Sequence, residues 1–348
     1  MAAWYQDLRT DNGPIISARV RLARNVTKYP FRTKLSEESA KDMIAEATAA
    51  IKDDHTEWAN QIQVIDPATY TENDKRMFLE KHIISPEFIK NDLPKGLLLQ
   101  NDFNVSIMIN EEDHIRIQTI SPGDDINASW EMANRIDDLI EESLEFAFDK
   151  EYGYLTACPT NVGTGMRASF MIHLPMLEKT GQLKNMLPAI SKFGIAVRGL
   201  YGEGSESMGG IFQISNQVTL GKSEQDIIQG VQSVAKNLID KELWLRDKMM
   251  DKHRLDIENN IFRSYGILTY GRKATVKEAM DMLSEIRLGY ALGILDLPKP
   301  YKNIYQIMME IQPGHLLWVA EETVGKILNE TEQDIMRADH LRRNFSRN

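Results

Sequence analysis

The stretch CPTNVGTGMRASFMIHL, residues 158–174, joins the chain's only cysteine to a strongly alternating run of side chains. From Arg167 onward, residues 167, 169, 171 and 173 project to one side and residues 168, 170, 172 and 174 to the other, which is the period of a β-strand. Before the strand come a proline, two glycines and Cys158. The stretch therefore predicts an active-site loop that leads into a strand headed by Arg167.

Two interpretations of Cys158 stay open. Free cysteine is among the most buried residue types, so it could be a small core residue. A nearby guanidinium would instead favour the reactive thiolate. A single cysteine cannot form an intramolecular disulfide, and the first ten residues, MAAWYQDLRT, do not resemble a secretion signal. We expect a reducing, cytoplasmic location.

Composition limits the classes of function. The chain has 348 residues, 42% of them hydrophobic, and a formal net charge of −10. Its length suits about two domains. The acidic balance argues against nucleic acid as a direct ligand. No apolar run approaches the length of a membrane span, so no membrane association is expected.

The pattern along the chain predicts an α+β domain followed by helices. Helical spacing covers residues 36–51 and 127–149, and a capping-box signature at Ser223 and Asp226 starts a helical region. We predict domains at 1–250 and 251–348. Strands are predicted at 15–22, 105–109, 115–120, 167–174, 194–198 and 211–215.

Three other segments carry candidate chemistry. In the strand SARVRLAR, residues 17–24, Arg19 and Arg21 share one face and suit phosphate oxygens, although a solvated strand face would look the same. NEEDHIR, residues 110–116, predicts an acidic hairpin tip that could be an ordinary turn or could hold a cation. RGLYGEGSESMGG, residues 198–210, predicts a glycine-rich lid or a plain surface loop, and it lacks the third glycine of a dinucleotide fingerprint. The histidines show no metal-ligand spacing, so no protein-held metal is expected.

Taken together, these segments resemble the catalytic half of the phosphagen kinases, the arginine and creatine kinase family. The motifs SARVR, NEEDH-x-R, CPTN-x-GTGMR, RG-x-x-GE-x-x-E and ISN occur in that family's order over residues 15–245. The N-terminal helical domain of the metabolite kinases is missing and a C-terminal helical region is added, as in the bacterial protein arginine kinases. The resemblance implies an antiparallel β-sheet flanked by helices, plus an all-helical C-terminal domain for docking or dimerisation.

The resemblance also implies roles for individual residues. An arginine guanidinium has a pKa above about 12, so carboxylates must orient it and accept its proton. Glu112 matches the leading base, while Glu206 and Cys158 match groups that grip the guanidinium, with Asn161 beside them. ATP is the implied donor, with Mg²⁺ carried on the nucleotide. The matching nucleotide-binding residues are Ser17, Arg19, Arg21, Arg116 and Arg167.

The implied activity is phosphorylation of arginine side chains in proteins. Expected partners are protein substrates, Clp protease components, a stress repressor, an activator protein and a second copy in a homodimer. Two alternatives remain: a kinase for free arginine, and a non-catalytic adaptor that binds proteins through its helical domain.

Some positions depart from the family pattern. Tyr201 stands where metabolite kinases carry a nucleotide-binding arginine, and Met171 replaces a histidine. The family's C-terminal phosphoarginine-binding motif RDxxRA is QDIMRA here, leaving Asp334 and Arg337 as candidates for that site. Asp334 could instead belong to a Thr331-x-x-Asp334 capping box.

Overall fold

One antiparallel sheet of eight strands organises the chain, in the order β2-β3-β4-β5-β1-β8-β10-β9. The computed structural model describes residues 3–11, 13–52, 57–90, 92–200, 207–296, 300 and 302–346. A separate hairpin pairs β6 with β7. The strands are β1 (Ile15–Arg24), β2 (Ile62–Ile65), β3 (Gly96–Gln100), β4 (Val105–Ile109), β5 (Ile115–Pro122), β6 (Phe148–Asp149), β7 (Gly153–Tyr154), β8 (Met166–His173), β9 (Ile195–Gly199) and β10 (Ile211–Asn216).

Helices pack around this sheet and make up the C-terminal region. They are α1 (Glu37–Lys52), α2 (Glu57–Asn60), α3 (Glu72–Glu80), α4 (Pro86–Lys90), α5 (Ile126–Glu141), α6 (Pro175–Lys179), α7 (Gln182–Ser191), α8 (Glu224–Tyr270), α9 (Val276–Ala291), α10 (Ile304–Glu310), α11 (Pro313–Val324) and α12 (Glu330–Phe345). Across the described residues, no helix is both long enough and apolar enough to cross a membrane.

The central strand β1 shows how the sheet separates core from site. Ala18, Val20 and Leu22 are fully buried, on the side where α5 packs against β1. Successive side chains of a strand point to opposite faces, so Arg19 and Arg21 project from the other face. The predicted α+β class, with an antiparallel sheet and a helical C-terminal region, is confirmed.

The helices after β10 share a core with the sheet. Tyr305 and Met308 of α10 are fully buried in the same hydrophobic cluster as Phe170 of β8. Helix α8 begins at the predicted Ser223–Asp226 capping box and deviates from helical geometry at His253, where φ is −134° and ψ is 30°. The division at residues 250 and 251 falls inside α8 and stays a prediction.

The predicted strands and the helix at 36–51 are all observed, and one helix was predicted too long. The helix at 127–149 ends at Glu141 instead. Beyond it, the backbone N–H of Ala147 donates to the carbonyl of Asn25, and Phe146 forms a β-bridge with Val26. These contacts pull the chain into an extended path beside the end of β1.

Candidate active site

Four arginines from three neighbouring strands share the polar face of the sheet. Arg21 of β1 pairs directly with Arg167 of β8, and Arg116 of β5 pairs with Ala23, two residues further along β1. Arg19 lies two residues before Arg21 on the same face. The antiparallel register therefore brings together side chains up to 148 positions apart (167 − 19).

Three of these arginines have side-chain hydrogen-bond partners. Two donate to neutral side chains and one donates to a carboxylate. Arg19 donates to Gln213 at 2.8 Å and Arg167 donates to Ser215 at 3.1 Å. Arg116 contacts both carboxylate oxygens of Glu111 at 2.9 Å. Arg21 has a buried Nε with no hydrogen-bond partner among the described residues.

This crowding produces a strong local positive potential. Burial lowers the pKa of Arg21 well below its usual range, and the charges of Arg19, Arg116 and Arg167 lower it further, with Glu111 opposing. Burial, Arg19 and Arg21 also lower the pKa of His82 to about 3, so this ring is neutral. Several guanidinium groups gathered on one face of the sheet are suited to bind a polyphosphate.

The structure adds Arg198 of β9 to this set. It lies opposite Gln213 in the sheet, and its charge helps to lower the pKa of Arg167, after burial. Arg198, Arg167 and Asn161 line a cavity of about 300 Å³. Sequence reasoning missed Arg198 because it was taken as the start of a loop. The signal was its place at the end of the predicted strand 194–198.

The three carboxylates of the acidic hairpin tip have different surroundings. Asn110, with φ of 61°, turns the chain between β4 and β5, which confirms the predicted hairpin. Glu111 is fully buried and also contacts Ser85. Burial alone would raise the pKa of Glu111, but Arg116 and Ser85 hold it below its usual range. Glu111 is therefore an anionic anchor for Arg116.

Glu112 is the half-buried carboxylate of the tip. Burial raises its pKa, and the charges of Asp113 and Glu111 raise it further against the opposing effect of Arg116. A carboxylate with a raised pKa holds a proton more readily, which is the property that a general base requires. The pKa of Asp113 is raised as well, but of the three acidic side chains only Glu112 is half-buried rather than buried.

Asp113 connects the hairpin tip to the cysteine loop. Its buried carboxylate accepts hydrogen bonds of 2.6 Å from the Asn25 side chain and from the backbone N–H of Ala157. Asn25 also donates to Leu155 and accepts from the N–H of His114. This network joins the segment that carries Glu112 to the segment that carries Cys158, since each is the next residue to a member of the Asp113–Ala157 pair.

Cys158 is half-buried rather than a core residue. Its sulfur lies 3.0 Å from the Thr160 hydroxyl, and Cys158 is among the groups that act electrostatically on Arg167, so the two side chains are neighbours. The loop continues into a short 3₁₀ helix, Pro159–Asn161. Thr219 holds this loop by donating to the carbonyls of Thr160 and Val162.

Ser17 and Glu206 are also among the predicted site residues. Ser17 is buried on β1 and lines a small cavity with Arg19 and His82. Glu206, together with Tyr201 and Glu203, lies outside the described residues. In the described ranges, no group of three or more His, Cys, Asp and Glu side chains converges as a metal site.

Comparison with protein families and relatives identifies the chain. Residues 42–244 match the family model described as ATP:guanido phosphotransferase, C-terminal catalytic domain. Residues 254–348 match the Protein-arginine kinase McsB C-terminal domain. A protein-arginine kinase of Caldanaerobacter subterraneus is 45% identical over 96% of this chain and 97% of its own length. The chain belongs to the protein-arginine kinase family. It is a guanidino phosphotransferase.

Other members and solved structures agree with this family. The protein-arginine kinase of Bacillus subtilis is 41% identical, covering 98% of this chain and 93% of its own. The duplicated taurocyamine kinase of Schistosoma mansoni, solved with bound transition state analog components, has a TM-score of 0.62 and 28% identity. The match covers 70% of this chain and 35% of the duplicated one. Lombricine kinase shares the fold, with a TM-score of 0.60, 23% identity and coverage of 71% and 70%.

In this family member, the C-terminal pair Asp334 and Arg337 is internally bonded. Arg337 is buried and donates to the carbonyls of Ile311 and Ala274 at 2.9 Å and to Asp334 at 2.7 Å. The alternative capping box at Thr331 is wrong, because Asn329 and Glu332 form the box that starts α12. Asp334 is therefore available for ionic contacts, and Lys273 lies 3.7 Å from it.

Proposed function

We propose that this family member transfers the γ-phosphoryl group of ATP to the guanidino group of arginine side chains in proteins. The observation that carries the proposal is the arrangement of the site. Four arginines share one face of the sheet, and a carboxylate with a raised pKa, Glu112, stands at the adjoining hairpin tip. The relatives described above bear the name protein-arginine kinase.

In this proposal the arginine face binds the nucleotide. Arg19, Arg21, Arg116 and Arg167, joined by Arg198, would pair with phosphate oxygens, and Ser17 would support the same end of β1. Phosphoryl transfer depends on positioning and charge neutralisation, which these residues supply. Mg²⁺ would be held through the phosphates and water, and its charge would neutralise the β- and γ-phosphate oxygens.

The acceptor would bind between the hairpin tip and the cysteine loop. A guanidinium nitrogen attacks the γ-phosphorus, the N–P bond forms, and the bond from that phosphorus to the β,γ-bridging oxygen breaks to release ADP. Glu112 accepts the proton that leaves the nitrogen. Cys158, Asn161 and Glu206 are proposed to orient the acceptor, with the thiolate of Cys158 and the carboxylate of Glu206 pairing with its positive charge.

Further proposals concern partners and location. We place the protein in the cytoplasm, as a homodimer with a catalytic part at 1–250 and a helical docking part at 251–348. Its products would be recognised by Clp protease components, with a stress repressor among its substrates and an activator protein controlling it. Asp334 and Arg337 are proposed as a second site for phosphoarginine. The guanidino group of a bound phosphoarginine would pair with Asp334 and would replace the guanidinium of Arg337 in that contact.

Transfer can be tested directly with the purified chain and Mg-ATP. Free arginine and an unfolded arginine-containing protein are offered separately, and products are assigned by mass spectrometry at neutral pH, where the N–P bond survives. We expect phosphoarginine in the protein. Transfer to free arginine alone would make the chain a metabolite kinase. Absence of transfer to both acceptors, with partner binding retained, would favour the adaptor alternative.

A further inference from the structure

A second cavity, distinct from the arginine face, lies where the segment before β1 meets α8, α9 and the start of α10. Its volume is about 470 Å³, within the range of small-molecule sites. Leu8 and Leu243 line it and are 71% and 42% exposed, so they give the cavity an apolar, accessible side. Arg246 and Arg287 supply charge to the same cavity.

Both arginines are almost completely buried, with side-chain exposures of 5% and 3%. Arg246 donates only through Nε, to Glu242 at 2.8 Å, among the described residues. Among the described residues, Nη2 of Arg246 and Nε of Arg287 are buried without a partner, whereas Nη2 of Arg287 donates to the carbonyls of Thr10 and Gly13. A buried donor without a partner costs free energy, and in native proteins it often marks a water, ion or ligand.

The neighbouring carboxylates pair with these arginines and also accept hydrogen bonds from backbone groups. Glu242 also accepts from the N–H groups of Met176 and Leu177, at the start of α6. Asp11 accepts from Arg287 at 3.2 Å and from the N–H of Ile304 at 2.7 Å. Each carboxylate therefore accepts hydrogen bonds both from an arginine and from backbone N–H groups at the start of a helix.

The two guanidinium groups also act on each other. Burial lowers the pKa of Arg287 to about 10 against the opposing charge of Asp11, and the charge of Arg246 contributes to the lowering. Arg287 therefore stays cationic at neutral pH. An anion placed between them would relieve this repulsion and supply acceptors for the unused donors.

We propose that this cavity binds a small organic anion, with a carboxylate or phosphate head on Arg246 and Arg287 and an apolar body against Leu8 and Leu243. The site is separate from the polar face of the sheet and does not depend on the proposed transfer reaction. Because its walls come from residues 8–14 and from residues 243–304, the bound anion would hold the segment before β1 against α8 and α9.

The test uses 1-naphthyl phosphate and 1-naphthoate as probes, titrated by calorimetry into the full chain. A non-hydrolysable ATP analogue is present at saturation, so that the arginine face is occupied. We expect at least one anion to bind, and the neutral analogue 1-naphthol to bind at least about tenfold more weakly, as loss of a charged hydrogen bond implies. The tighter of the two anions identifies the head group.

Two variants and a matched control locate the site. Arg246→Gln removes the charge, and Ala291→Trp fills the cavity from an exposed position that lines it, without touching a buried ion pair. Each should weaken binding at least about tenfold. Arg254→Gln, on an exposed arginine of the same helix, should leave it unchanged. If Arg246→Gln does not fold, Ala291→Trp decides. Absence of binding, equal binding of 1-naphthol, or equal binding by Ala291→Trp and the control would overturn the proposal.

Discussion

Asp113 accepts a hydrogen bond of 2.6 Å from the backbone N–H of Ala157, and this contact joins the hairpin tip to the cysteine loop. The same carboxylate oxygen accepts from Asn25, which also binds the loop through the carbonyl of Leu155. The two candidate reactive residues are sequence neighbours of this contact, because Glu112 precedes Asp113 and Cys158 follows Ala157. Their relative position therefore depends on one buried carboxylate.

Replacing Asp113 should impair positioning. In Asp113→Ala, the Asn25 amide and the Ala157 N–H lose their acceptor, so we expect a stability loss of about 1–3 kcal/mol and a fall in kcat of roughly tenfold or more. Kinetics and urea unfolding measure the two effects. Asp113→Asn keeps one acceptor oxygen and should recover part of kcat.

A matched control is Asp149→Asn, which alters a carboxylate that accepts two backbone N–H groups in the β6–β7 turn. It should leave kcat unchanged. If Asp113→Ala loses stability but keeps the wild-type kcat, Asp113 is structural only.

Glu112→Gln should abolish transfer while ATP binding stays nearly intact. The amide keeps the size of the side chain but cannot accept the guanidinium proton, so we expect a loss of roughly 10²–10⁴ in kcat. Calorimetry with a non-hydrolysable ATP analogue measures binding separately. Glu72→Gln, at an exposed carboxylate of α3, serves as the control. Loss of nucleotide binding as the main defect would overturn the role of Glu112.

At low pH, the decrease of kcat/KM should follow the protonation of Glu112. Its pKa is raised by burial, then by Asp113 and Glu111, with a smaller contribution from Glu87. A base must be deprotonated, so activity should be lost as pH falls through this raised pKa, at a higher pH than for an ordinary glutamate. Glu87→Gln removes one negative charge and should move the limb of kcat/KM toward lower pH. An unmoved limb in Glu87→Gln, or a shift to higher pH, would assign it to another group.

Arg21→Met should stabilise the protein without nucleotide and weaken ATP binding. Arg21 is half-buried and close to Arg19, Arg116 and Arg167, so its removal relieves repulsion, with a gain of about 1 kcal/mol as at other sites where function costs stability. Thermal unfolding with and without the ATP analogue measures both effects. Arg254→Met, at an exposed position, should change neither. A less stable apo variant would show that Arg21 supports the fold instead.

Alternation made part of the candidate site predictable from the sequence. Arg19 and Arg21 follow the period of two, so their shared face was predictable. Strand β3, Gly96–Gln100, is buried at every position and shows no such period. The division of labour between Glu111 and Glu112 depends on which carboxylate meets Arg116, a contact made only in the folded chain. The cavity around Arg246 and Arg287 joins distant segments, and no local pattern marks it.

We expect Arg337 to contribute mainly to the stability of the fold. Its guanidinium satisfies the carbonyls of Ile311 and Ala274 and pairs with Asp334, all within 2.9 Å. Arg337→Met removes a buried charge that makes three hydrogen bonds and leaves its partners unpaired, so we expect a loss of about 3–5 kcal/mol in urea unfolding. Arg343→Met, at an exposed position of the same helix, should cost less than about 0.5 kcal/mol. Asp334→Asn should fall between them, because Arg337 keeps both carbonyl partners. Equal stability of the Arg337 and Arg343 variants would mean that Arg337 is held for a ligand rather than for the fold.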